Sequence, residues 1–219
     1  WGHQMLKNAG VDNYYIPHGI ETSVYRILEA DKIQQFKQQY LKHSGYLSVM
    51  VAANKGYPDR KAFQFQLRAW AEFAKDKPDA KLYLHTDPIS GPHNQGLNLV
   101  KLCQQLGIQD RVMFPDRYEY FNGYPPEYLA FIYNSANVLM ASSMSEGFGI
   151  PIIEAQACGT PVITVNFSAM PELVRYGVIT EPLDYLYTPM EAWQCIPDWK
   201  QITQALEANY QDWKDNSYS

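Results

Sequence analysis

YLSVMVAANKGYPDRKAFQFQLRAWAEFAKDKPDAKLYLHT (46–86) is the stretch that decides the fold. It opens on YLSVMVAA (46–53) and closes on AKLYLHT (80–86), two short runs rich in apolar residues. Between them, KAFQFQLRAWAEFAKDK (61–77) carries its apolar residues at spacings of three and four, the period of an amphipathic helix. Strands apolar on both faces, separated by helices, belong to a parallel sheet covered on both sides. The same rhythm continues outward through RVMFP (111–115), NVLMAS (137–142), TPVITVN (160–166) and GVIT (177–180). NQGLNLVKLCQQLG, PEYLAFIYNSA and PIIEAQACG supply the intervening helices. The fold class is therefore α/β, a doubly wound parallel sheet.

The 219 residues include 18 Lys+Arg and 23 Asp+Glu, a net charge of -5, and 46% are hydrophobic. That is enough apolar material for one large core. No stretch reaches the roughly 18 apolar residues of a membrane span, so no transmembrane segment is expected. The acidic balance lacks the electrostatic footprint of a nucleic-acid binder. Cys103, Cys158 and Cys195 are odd in number and lack CxxC spacing, which suits a reducing, cytoplasmic compartment better than a disulfide framework. The five histidines, His3, His18, His43, His85 and His93, form no HxxxH or HExxH pair, so no metal site is expected.

The chain opens on Trp1 without an initiator Met or the pattern of a signal peptide, and it reads as part of something longer. WGHQMLKNAGV (1–11) reads as the end of a helix stopped by Gly10, followed by the extended run Tyr14-Tyr15-Ile16 and Pro17. One more helix, DWKQITQALEANYQDWK, is expected after Pro197, with Trp199 and Trp213 on its apolar face.

In a doubly wound sheet ligands bind at the carboxyl ends of the strands. The loops there are NKGYPDRK (54–61), TDPISGPHNQG (86–96), PDRYEYFNGYPPE (115–127), SMSEGFGIP (143–151) and NFSAMPE (166–172). In SMSEGFGIPIIEAQACGTPVI (143–163), Gly147 and Gly149 bracket Phe148, Pro151 sits in a first helical turn and Gly159 is the stop. A glycine-rich turn opening a helix presents free N–H groups to an anion. It is neither the GxGxxG fingerprint nor a P-loop. Glu146 and Glu154 stand eight positions apart, about 12 Å along a helix. That exceeds the roughly 5–9.5 Å between paired hydrolytic carboxylates, so they read as two separate hydrogen-bonding groups. Glu154 suits hydroxyls such as those of a ribose, and Glu146 a second polar group of the same ligand. An equally open reading makes Glu146 a helix-capping acid and Glu154 a solvated one. Asn54, Lys55, Arg60 and Lys61 follow the first strand on the same sheet edge. The three cations suit a diphosphate, or else form a solvated basic turn. The aromatic residues Tyr118, Tyr120, Phe121, Tyr124 and Tyr128 read as packing under a loop, and His85 as a core histidine.

EGFGIPIIEAQACGTPVI (146–163) resembles the E-x7-E motif of retaining GT-B glycosyltransferases of the family 4 type, the glycosyl transferases group 1. IPHGIETSVY (16–25) resembles that family's entry into its C-terminal half, VAANKGYPDRKAF its first strand and phosphate loop, and MPELV (170–174) its last site loop. The resemblance implies one Rossmann-like half of a GT-B architecture. Residues 1–24 would close the N-terminal domain and form the linker, and 25–219 would be the donor-binding domain. It implies a UDP- or GDP-sugar as donor, no metal, and an acceptor domain outside this chain that would carry any membrane association. Glu154 would bind the ribose and Glu146 the transferred sugar. The backbone around Phe148, Gly149 and Ile150 would hold the diphosphate or sugar, and Lys61 the leaving phosphate, with Lys55 and Arg60 beside it. Phe114, Asp116, Arg117 and Tyr118 would lie near the base. Two departures stand out: Asn54-Lys55 where an Arg is usual, and Ser168-Ala169 where paired glycines are common. A sugar-nucleotide epimerase of the same architecture and a non-catalytic binding module are the alternatives.

Overall fold

The computed structural model describes residues 1–56, 58–89 and 95–215; the part of the 86–96 loop that includes His93 lies outside them. Helix α1 spans Gly2–Asn8 and buries none of its residues. Helix α2, Ala30–Phe36, runs on into a π turn at Lys37–Leu41. Six strands then form one sheet: β1 Tyr46–Val51, β2 Ala80–His85, β3 Val112–Met113, β4 Val138–Met140, β5 Val162–Val165 and β6 Gly177–Thr180. All neighbouring pairs are parallel, in the order β3-β2-β1-β4-β5-β6. The helices between them are α3 Phe63–Phe73, α4 Leu99–Gln105, α5 Arg117–Asn122, α6 Pro126–Ser135 and α7 Ile150–Ala157.

Alternation along β1 shows why its sequence is apolar on both faces. Tyr46 and Met50 enter one core with Phe63, Leu67 and Trp70 of α3, while Leu47 and Val49 enter a second with Ile132 and Tyr133 of α6. Burial of this kind stabilises by about 1.5–3 kcal/mol per large side chain, so the sheet is clamped from both sides. The run RVMFP yields only a two-residue strand, and the 115–127 segment read as loop contains the whole of α5.

Two further strands, β7 Pro182–Tyr187 and β8 Trp193–Pro197, form an antiparallel hairpin between β6 and the last helix, α8 Trp199–Lys214. The sequence reading named no strand there. The hairpin sits beside the carboxyl ends of the sheet, because the Cys195 N–H donates to the Met144 carbonyl at 2.9 Å.

Gly177 begins β6 at φ +142°, and a Cβ there would lie 2.0 Å from the Val162 carbonyl oxygen. Gly177→Ala therefore combines backbone strain with a clash against main chain that has no rotamer to yield, at a cost of about 2–5 kcal/mol. Urea unfolding is expected to show the loss, and amide exchange to place it in β6 and β5.

Candidate functional site

The loops after β1, β4 and β5 are stitched together before any ligand is considered. The Met144 N–H donates to the Arg60 carbonyl at 2.8 Å, and Arg60 Nη1 donates to the Ser145 carbonyl at 2.5 Å. From the third loop, Ser168 Oγ accepts the Glu146 N–H at 2.9 Å. Ser168 has φ +54°, a left-handed conformation that glycine adopts freely. Serine accepts that strain here and uses its hydroxyl on the backbone that carries Glu146. The sequence signal for this role was the departure itself, a serine where paired glycines are common.

Glu146 is the centre of the charge arrangement. Lys61 Nζ lies 2.5 Å from its Oε1 and Arg60 Nη1 3.0 Å from its Oε2. Burial alone raises the Glu146 pKa, but Lys61 and then Arg60 outweigh it and hold the carboxyl below its ordinary 4.5. Lys61 is itself fixed from behind: Gln66 Nε2 donates to its carbonyl at 2.9 Å, and Gln66 Oε1 accepts the Ser142 N–H at 3.1 Å. Glu146 is not a helix cap. The residue capping α7 is Gly149, at φ +110°, with no side-chain cap bond.

Glu154 lies within α7 and is 9% exposed, so it is not a solvated acid. Tyr133 Oη donates to its Oε2 at 2.9 Å. Burial raises its pKa, and hydrogen bonds from Tyr133 and Tyr25 pull the other way without cancelling that rise. The two glutamates thus titrate in opposite senses. Glu146, lowered, contributes stability present above about pH 4.5 and lost as pH falls through its folded value. Glu154, raised, binds its proton more tightly in the folded chain, so stability falls as pH rises from 4.5 through its folded value. Glu154→Gln should accordingly melt above the parent at pH 7, with the advantage vanishing below pH 4.5 in thermal melts across that range.

A cleft of about 680 Å³ opens beside these groups, lined among others by Lys55, Arg60, Lys61, His85, Tyr25 and Tyr124. Burial pushes His85 down to about 4, which leaves the imidazole neutral near pH 7. Tyr83 Oη lies 3.2 Å from its Nδ1, and Tyr120, Tyr124 and Tyr128 pack around its ring. Lys55 is exposed at the cleft.

Other candidates are placed elsewhere. Asn54 is buried; its Nδ2 donates to the Asp87 and Leu97 carbonyls at 3.0 and 2.7 Å, and its Oδ1 accepts the Leu97 N–H at 2.9 Å. Its amide is committed to bracing the 86–97 loop. Arg117 is likewise engaged, with Nε 3.0 Å from Asp87 Oδ1 and Nη2 3.1 Å from the Ile89 carbonyl. Phe114 packs against the α3 core, Asp116 caps α5 by accepting the Glu119 N–H at 3.0 Å, and Tyr118 is 75% exposed. Phe148 meets the ring of His18 at 5.0 Å, so the segment before α2 lies against the glycine-rich loop, and Ile150 is exposed at the start of α7. Among the described residues, no three of His, Cys, Asp and Glu converge as metal ligands.

This sheet order, with its charged loops at the carboxyl ends, defines a Rossmann-like domain of the GT-B class. The chain belongs to the glycosyl transferases group 1 family, which it matches over residues 32–189. Among curated relatives it is 38% identical over 125 residues to D-inositol 3-phosphate glycosyltransferase of Mycobacterium sp. (strain KMS), a match covering 54% of this chain and 25% of that protein. The match thus spans about a quarter of the relative's length. Among solved structures it is similar to the C-terminal domain of a glycosyl transferase group 1 family protein (LpcC) from Francisella tularensis, with TM-score 0.67, 21% identity and 90% of each chain covered. It is also similar to Anabaena HepE in complex with UDP-glucose, with TM-score 0.66, 19% identity, and 91% of this chain and 47% of that one covered.

Proposed function

We propose that this chain is the donor-binding half of a retaining glycosyltransferase, residues 25–219, preceded at 1–24 by the end of the acceptor domain and a linker. The observation that carries it is the Glu146–Lys61–Arg60 cluster, whose two cations line the 680 Å³ cleft. A nucleoside diphosphate sugar, a UDP- or GDP-sugar, places its diphosphate against Lys61, Arg60, Lys55 and the start of α7, where charge developing on the leaving group is stabilised. Glu146 then accepts from hydroxyls of the transferred hexose, and Glu154 from those of the ribose. The cations and the helix dipole perform the neutralisation without a metal. Transfer proceeds on the face of the departing phosphate and retains configuration, with the protein supplying position and charge rather than a nucleophile. A cytoplasmic location accords with three free, buried thiols.

Calorimetric titration with UDP, GDP, ADP, UDP-glucose and GDP-mannose tests the reading. Selective binding of one nucleotide family, weakened by Lys61→Ala, is expected. Absence of binding to every one of them at millimolar concentration would sink it. Retention is read separately, by NMR of the anomeric proton in the product of the complete two-domain protein.

A further inference from the structure

We propose that Tyr133 is a positioning residue whose hydroxyl holds the Glu154 carboxylate in the orientation that accepts the paired ribose hydroxyls of a nucleotide. The inference rests on Glu154 being the ribose-binding residue. Tyr133 is fully buried, and its Oη donates to Glu154 Oε2 at 2.9 Å from the core side. Its own place in α6 is fixed by Thr160, whose Oγ1 donates to the Tyr133 carbonyl at 2.6 Å and whose N–H donates to the carbonyl of Ala155, the residue after Glu154. Tyrosine and glutamate are thus referred to one another twice, through side chains and through the α6–α7 connection.

A carboxylate offers about four acceptor positions, and the last torsion of glutamate is broad. A bond made from inside the core uses one position and settles the torsion, leaving the remaining positions for Tyr25 or a ligand. Tyr25 is the second hydrogen-bond partner of this carboxylate, and it lines the cleft. A ligand can displace a residue of the cleft wall; it cannot reach a ring with no exposed surface. Tyr133 therefore stays bonded to Glu154 whether or not a nucleotide is present, and the carboxylate is ordered before binding.

The test compares the tightest binder among UDP, GDP and ADP with its 2′,3′-dideoxy analogue, by calorimetry, in the parent, Glu154→Ala and Tyr133→Phe. The readout is the ratio of the two affinities, which a loosened fold would not change selectively. The parent is expected to prefer the ribonucleotide by about tenfold or more, the scale of a charge-assisted hydrogen bond, and both variants to lose most of that preference. A second replacement at position 133, 4-fluorophenylalanine, fills the hydroxyl's volume without a donor and gives the same reading if Tyr133→Phe does not fold. If Glu154→Ala loses the preference while both replacements at 133 keep it, the positioning role is overturned and the ribose reading of Glu154 stands. If the parent shows no preference, the ribose reading itself fails and the proposal fails with it.

Discussion

Lys61→Ala is expected to lower affinity for a nucleoside diphosphate by about 10- to 100-fold, the equivalent of a charge-assisted contact of roughly 1.5–3 kcal/mol. Two effects act in the same direction. The direct one is loss of a cation beside the cleft. The second is exposure of the phosphate to Glu146, whose carboxylate lies 2.5 Å from Lys61 Nζ and would retain only Arg60. Calorimetry measures the sum, and Glu146→Gln separates the parts. Once its carboxylate is neutral, Lys61 is released to a ligand phosphate, so nucleoside diphosphate affinity should hold or rise while the contact to a transferred sugar weakens. The Lys61→Ala, Glu146→Gln double variant should recover part of the stability lost in Lys61→Ala, because a partly buried carboxylate without its nearest cation is costly and an amide is less so. Unchanged diphosphate affinity in Lys61→Ala would remove this lysine from the site.

Trp70→Ala is expected to cost about 3–5 kcal/mol, the range for emptying a large aromatic site. Trp70 is fully buried in α3 against β1, with ring contact to Phe73, and its Nε1 donates to Ser48 Oγ at 3.1 Å. The substitution opens a cavity and also leaves the buried Ser48 hydroxyl without that donor. Trp70→Phe retains much of the packing and loses the bond, so it should fall between. Urea unfolding followed by far-UV circular dichroism ranks the three. A loss below about 1 kcal/mol for Trp70→Ala would mean that α3 repacks onto the sheet far more readily than a close-packed core allows.

Much of this was legible in the residues because both faces of the sheet are buried. β1 cannot tolerate a polar face, so YLSVMV announces a covered strand, and the helices between strands carry the matching three-and-four spacing. The hairpin gave no such signal. Leu183, Tyr185, Tyr187 and Trp193 are exposed by 60%, 49%, 55% and 60%, and its two strands pair with each other outside the main sheet. β7 buries none of its residues, and β8 buries Gln194, Cys195 and Pro197 without a strict alternation, so there is little period to read. In the site, the glycines and glutamates of 146–154 could be found from spacing, and so could the basic loop. What each side chain touches could not. Asn54 is spent on Leu97, 43 residues away, and Glu154 on Tyr133, 21 away; such pairings are made by the topology, and no local window contains them.

The three cysteines supply a clock that comes with the molecule. Cys103 belongs to α4 and lies in the core shared with α3, Cys158 is at the end of α7, and Cys195 is in the hairpin beneath the glutamate loop. Burial lifts their thiols to about 11, 12 and 12 respectively, with Glu154 adding to the rise at Cys158. Thiolate, the species that alkylating reagents capture, is scarce at all three positions near neutral pH. Each sulfur is therefore labelled only when its own layer opens. Mass spectrometry of the labelled chain, sampled over minutes to hours, separates breathing of the hairpin from parting of either helical layer without a single introduced probe.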